Sequence, residues 1–140
     1  MKLVIDASVT LKWLLRDAPD EPDVPIALAI LTECGAGLHE LLQPAHWLAE
    51  VMAVLARRAP TEISDGLKFL RRIRPRFEES DAVYERAAEL SHRLKHHLFD
   101  TLYHAVALEH GATLITADER YFHVAKSEGS IQRLHDFHSM

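Results

Sequence analysis

Four acidic residues stand out because their neighbours are apolar. Asp6 closes Leu3-Val4-Ile5, and Glu50 lies inside Trp47-Leu48-Ala49-Glu50-Val51-Met52-Ala53-Val54-Leu55. Asp100 heads Thr101-Leu102-Tyr103-His104-Ala105-Val106, and Asp118 follows Leu114-Ile115-Thr116 by two residues. A carboxylate in such company is costly unless something compensates it. Several ionised carboxylates share one place only when cations neutralise them. Hard oxygen ligands of this kind suit Mg²⁺ or Mn²⁺. Such an ion can bind phosphate oxygens and make a nucleophile of water, a chemistry that needs no catalytic histidine.

Each acid also has a plainer reading. Asp100 is a favoured helix N-cap. Thr116-Ala117-Asp118-Glu119 fits a capping box, with Thr116 as the cap and Glu119 reaching back. Asp6 could cap the helix after it, although Ser8 competes for that role. Glu50 could lie on a polar seam or pair with a base, since long charged side chains reach solvent. The set therefore argues more strongly than any member. No phosphate-binding glycine loop, dinucleotide fingerprint, G-x-S-x-G elbow or H-E-x-x-H helix competes with it. His92, His96 and His97 cluster, but Ser91-His92-Arg93-Leu94-Lys95-His96-His97 reads as the solvated end of a helix. Arg93 and Lys95 would repel a zinc ion there, and no cysteine is near.

Positioning these acids requires short strands between helices. The predicted strands are 2–6, 38–43 and 112–116, with a weak candidate at 77–79 and an edge strand at 130–134. The predicted helices cover 7–16, 25–34, 45–58, 61–73, 81–94, 100–110 and 118–126, and the acidic, proline-containing stretch 17–23 is a loop. Buried strands separated by helices imply an α/β fold with a parallel sheet covered on both faces. Ligand sites in such sheets lie at the C-terminal strand ends, which places Asp6 and Asp118 on one edge.

The chain has 140 residues, nearly half of them apolar, and is expected to form a single domain over 1–140. Cys34 is the only cysteine, so it forms no internal disulfide and reads as a buried hydrophobe compatible with a reducing cytosol. Asp6 interrupts the N-terminal apolar run, which speaks against a signal peptide, and no run is long enough for a membrane span. A cytoplasmic protein without membrane association is expected. The net charge of −5 argues against nucleic acid, but its distribution is uneven. Arg57, Arg58, Lys68, Arg71, Arg72, Arg74 and Arg76 face only Glu62 and Asp65 within their stretch. That stretch is either a solvated helix face or a phosphate-contacting rim.

The motifs also resemble a known family. Val4-Ile5-Asp6-Ala7-Ser8-Val9 with Lys12-Trp13-Leu14-Leu15 resembles the opening of the PIN domain, in particular of VapC-type toxins from type II toxin–antitoxin (VapBC) modules. The stretch from Pro44 to Leu55 around Glu50, Phe99-Asp100-Thr101-Leu102-Tyr103-His104-Ala105, and Leu114-Ile115-Thr116-Ala117-Asp118 are similar to its later acidic motifs, in the same order across essentially the whole chain. The resemblance implies a PIN-like three-layer α/β/α sandwich around a parallel sheet of four to five strands. It implies a Mg²⁺- or Mn²⁺-dependent endoribonuclease, with RNA as substrate. In it Asp6 and Asp100 would be direct metal ligands, Glu50 and Asp118 would complete the cluster, and Thr116 would orient water. It further implies a homodimer and a cognate VapB-type antitoxin. Ala53 departs from the family, which often carries Asn three residues after the second acid. Two other classes compete: a PIN-like module that grips RNA or protein without useful catalysis, and a phosphotransfer domain with Asp6 as nucleophile. The latter leaves Glu50 unexplained.

Overall fold

Each short run of aliphatic residues becomes a strand, and each amphipathic stretch a helix that covers it. In the computed structural model, which describes residues 1–139, the order is β1 (Lys2–Ile5), α1 (Ala7–Leu14), α2 (Val24–Gly35), β2 (Glu40–Gln43), α3 (Trp47–Arg58), α4 (Ile63–Ile73), β3 (Arg76–Phe77), α5 (Asp81–Leu94), α6 (Leu98–His110), β4 (Thr113–Thr116), α7 (Glu119–Ala125) and β5 (Ile131–Arg133). The strands form one five-stranded sheet in the order β3-β2-β1-β4-β5, and each neighbouring pair is parallel. The predicted α/β class and strand count hold. Boundaries differ at three places. The first helix stops at Leu14, the short third strand is Arg76–Phe77 rather than 77–79, and α6 begins at Leu98, two residues before Asp100.

The pleat sends successive side chains to opposite faces. Leu3, Ile5, Leu41 and Ile115 meet Val9 and Trp13 of α1 and Ala27 and Ile30 of α2 on one side. Val4, Leu42 and Leu114 meet Trp47 and Val51 of α3, Val83 and Ala87 of α5 and Val106 of α6 on the other. Helices therefore lie on both faces, which gives three layers. Both tryptophans are fully buried, and each finds a partner for its indole N–H: Trp13 donates to the Ala27 carbonyl at 2.8 Å and Trp47 to Thr10 Oγ1 at 3.0 Å.

Two buried polar side chains hold the frame around the acids. β1 and β2 pair through Lys2–Glu40 and Leu3–Leu41, and beyond that the Gln43 side chain takes over. Its amide nitrogen donates to the Ile5 carbonyl at 2.8 Å and its oxygen accepts from the Ile5 N–H at 3.3 Å. Lys12, almost fully buried, donates to Glu21 Oε1 at 2.9 Å and to the Pro22 carbonyl at 2.8 Å. Arg58 adds a second bond to Glu21 at 3.1 Å. Burial works to raise the Glu21 pKa, but these two cations outweigh it and hold the carboxyl below its ordinary range. The acidic loop is thereby tied to α1 and α3. Among the described residues no helix is long and apolar enough to cross a membrane.

Candidate active site

The sheet grows from β1 to β2 and β3 on one side, and from β4 to β5 on the other. The reversal falls between β1 and β4. That is the switch point where open parallel sheets leave a crevice at their C-terminal ends. Asp6 follows β1 and Thr116 ends β4.

Asp6 is the N-cap of α1, accepting from the Val9 N–H at 3.3 Å. Ser8, the competing cap in the sequence, does something else. Its hydroxyl donates to Asp6 Oδ1 at 2.5 Å and accepts from the Ala117 N–H at 3.0 Å. Thr116 mirrors it: Oγ1 donates to Asp6 Oδ2 at 2.5 Å and accepts from the Asp118 N–H at 3.0 Å. Two hydroxyls thus clip the β1 end to the β4 end and orient Asp6. Thr116 spends its proton on Asp6, so its role is to hold that carboxylate.

The capping box expected at Thr116 and Glu119 does not form. Asp118 itself caps α7, accepting from the Tyr121 N–H at 3.0 Å through Oδ1. Glu119 is exposed and pairs with Arg133 at 3.5 Å. The N-cap reading of Asp100 also falls. Because α6 starts at Leu98, His97 occupies the cap position and Asp100 stands inside the first turn with its carboxylate free of the backbone. Asp100 Oδ2 accepts instead from His96 Nε2 at 2.8 Å.

Glu50 projects from the first turn of α3. Tyr103, one helical turn after Asp100, donates its hydroxyl to Glu50 Oε1 at 3.0 Å. His46 Nε2 lies 3.8 Å from Glu50 Oε2. It donates to the Phe99 carbonyl at 2.8 Å, which can only accept, so Nε2 carries the proton. Burial lowers the His46 pKa, and the ring brings no charge to Glu50.

The four acids feel one another. The Asp6 carboxyl is pushed up to about 6, by burial first and by the charge of Asp118 last, against the hydrogen bonds from Ser8, Thr116 and Val9. Glu50 is pushed up to about 7 by burial, reinforced by the charges of Asp100 and Asp6 and opposed by the Tyr103 hydroxyl. Among the described residues no lysine or arginine pairs with any of the four; the only ion-pair contacts are His46 with Glu50 and His96 with Asp100. A donor set of crowded carboxylates without a protein cation fits a divalent ion. His96, Asp100 and Asp118 offer one ligand atom each, all within 4.8 Å of one another.

His96 is the residue that sequence reasoning missed. It does not sit at the solvated end of a helix. Lys95 caps α5 in the left-handed region (φ 53°), and the chain folds back. The His96 N–H donates to the Ser91 carbonyl, while Ser91 Oγ donates to the His96 carbonyl at 2.5 Å. This turn aims the imidazole at Asp100. Beside it a hollow of about 380 Å³ is lined by Ser91, Lys95, His96, His97, Leu98 and Arg120. Positive charge therefore borders the acids here. The arginine-rich stretch 57–76 lies elsewhere. Arg58 is bound to Glu21, Arg76 to Glu40 and Glu78, and Arg72, Arg74 and Arg76 gather around the start of β2.

The PIN domain profile matches residues 3–127, from the first strand past the seventh helix. The chain belongs to the PIN domain family. Comparison by sequence with curated proteins gives no match. Solved structures similar to this PIN chain include PAE2754 of Pyrobaculum aerophilum, 16% identical with a TM-score of 0.66, covering 96% of this chain and 90% of that one. VapBC2 of Rickettsia felis, bound to a DNA fragment from its promoter, is 17% identical with a TM-score of 0.66 over 95% of this chain and 98% of that one. VapBC-1 of nontypeable Haemophilus influenzae is 13% identical with a TM-score of 0.64 over 97% and 100%. At these identities the likeness is one of fold.

Proposed function

We propose that this PIN chain is a Mg²⁺- or Mn²⁺-dependent endoribonuclease, the toxin of a type II toxin–antitoxin pair. It acts on RNA in the cytoplasm as a homodimer and is restrained by a VapB-type antitoxin. One observation carries the nuclease reading: carboxylates from β1, α3, α6 and the β4–α7 junction converge at the switch point with no lysine or arginine among them. Two VapBC structures of the same fold support the toxin reading.

Asp6 and Asp100 hold the principal ion, and Glu50 and Asp118 complete the cluster. When bound, the ion supplies positive charge for phosphate oxygens and acidifies an adjoining water. The protein's own part is orientation. Ser8 and Thr116 fix both oxygens of Asp6, Tyr103 fixes Glu50, and the Tyr121 N–H fixes Asp118. Donors held on packed elements keep the carboxylates together despite their repulsion. Lys95 and Arg120 stand where the flanking RNA phosphate needs a counter-charge.

The deciding experiment is cleavage of a mixed RNA pool by wild type and Asp100→Asn, with and without Mg²⁺ or Mn²⁺. Cutting that needs both the metal and Asp100 is expected. Folded, antitoxin-free protein that binds the ion yet never cuts would make this a PIN-fold binding module instead.

A further inference from the structure

We propose that His96 is a nitrogen ligand of the ion held at Asp100 and Asp118, so that the centre is a mixed imidazole–carboxylate site favouring Mn²⁺ over Mg²⁺. The inference rests on the metal-dependent reading above and adds a residue and a selectivity to it.

The geometry is the first argument. His96 Nε2 lies 2.8 Å from Asp100 Oδ2, and an Asp118 oxygen completes a triple spanning at most 4.8 Å. Two adjacent ligands on an octahedral ion with bonds of about 2.1 Å are separated by about 3 Å. The His96–Asp100 spacing is therefore that of two neighbouring corners on one ion. Other histidines of the chain also pair with acids: His123 with Glu119 at 3.8 Å and His135 with Asp23 at 3.3 Å. Those pairs are more exposed at the histidine and have no third ligand, as expected of surface contacts. Among the described residues, His96, Asp100 and Asp118 form the one such triple.

The second argument is that the ring is held for this position. Its side chain is 13% exposed. Its backbone is fixed by the left-handed cap at Lys95 and by the two bonds to Ser91. Its face meets Tyr121 edge-on at 4.8 Å. Tyr121 is in turn held by the buried His104, whose Nε2 donates to the Gly129 carbonyl at 2.7 Å and whose Nδ1 therefore accepts from the Tyr121 hydroxyl at 2.9 Å. A ligand fixed this way loses little freedom when an ion arrives. Imidazole suits transition metals, whereas Mg²⁺ prefers oxygen and retains its waters. A nitrogen donor in this place raises Mn²⁺ affinity more than Mg²⁺ affinity.

The test uses the full chain, stripped with chelator and titrated with Mn²⁺ while the free ion is followed by electron paramagnetic resonance, with Mg²⁺ as competitor. His96→Gln keeps an N–H to donate to Asp100 and removes the imidazole. Pulsed resonance on the Mn²⁺-loaded wild type should show coupling to a histidine nitrogen that is absent in His96→Gln. The ratio of Mn²⁺ to Mg²⁺ affinity should fall at least about tenfold in that variant. Mn²⁺ bound by wild type without nitrogen coupling, or coupling and ratio unchanged in His96→Gln, would overturn the assignment. Because the coupling is read on wild type, the test does not depend on the variant folding. No Mn²⁺ binding by wild type would sink the metal-centre reading itself, and this inference with it.

Discussion

Replacing Glu50 by Gln should stabilise the metal-free protein, and only above a defined pH. The carboxyl is raised from 4.5 to about 7, with burial as the leading cause and Asp100 and Asp6 adding repulsion. A carboxyl whose folded pKa is raised favours the fold while protonated. Its contribution is intact below the unfolded value and is lost as pH rises through the folded one, here between 4.5 and about 7. At about 1.4 kcal/mol per pH unit the full penalty is about 3 kcal/mol, and solvent at this partly exposed group reduces it to about 2. Gln keeps the acceptor for the Tyr103 hydroxyl and carries no charge. In chelator, urea unfolding at pH 8 should show Glu50→Gln more stable by about 2 kcal/mol, or about 7 °C in Tm for a chain this size. The difference should vanish near pH 4. Saturating Mn²⁺ should stabilise wild type more than the variant, because the ion supplies the missing positive charge. Equal stability of the two proteins at pH 8, or a less stable variant, would refute the claim that the site stores repulsion at Glu50.

Two further outcomes follow from the packing. Lys12→Met should cost about 3 kcal/mol in urea unfolding, since it strips a buried partner from Glu21 and leaves the Pro22 carbonyl unbonded; combining it with Glu21→Gln should recover part of that loss. Gly66→Ala should destabilise by about 1 kcal/mol rather than give the usual helix-propensity gain. A Cβ at Gly66 would stand 2.6 Å from the buried Leu55 Cδ2, and both thermal and urea unfolding would register the clash between α3 and α4.

The frame was legible because its signals are local. Apolar runs of four to six residues between amphipathic stretches specify parallel strands and covering helices, and the switch point then follows. The acids were legible for a related reason: a carboxylate among apolar neighbours advertises its cost, as at Glu50. Their exact attachments were not, because caps depend on where a helix begins. Leu98 starts α6 two residues early and turns Asp100 from an expected cap into a free carboxylate. His96 was hidden by a turn with no glycine to mark it, since Lys95 takes the left-handed position itself. The arginine-rich stretch misled in the opposite way. Residues close in sequence were read as one rim, whereas three of the arginines surround the start of β2 and the positive neighbours of the acids, Lys95 and Arg120, come from separate elements.

The clip between Asp6 and Thr116 joins positions 110 residues apart. During synthesis at about 5–20 residues per second, the first strand emerges roughly 5–20 seconds before the strand that completes its neighbourhood. Until then Asp6 has no Thr116 to orient it, and Asp118 has not been made. A partial chain thus owns some of the acids and none of the centre. If the product cuts RNA, the ribosome and message that make each copy are shielded from that copy by the order in which its strands appear, and competence arrives only as the last sixth of the polypeptide is laid against the first strand.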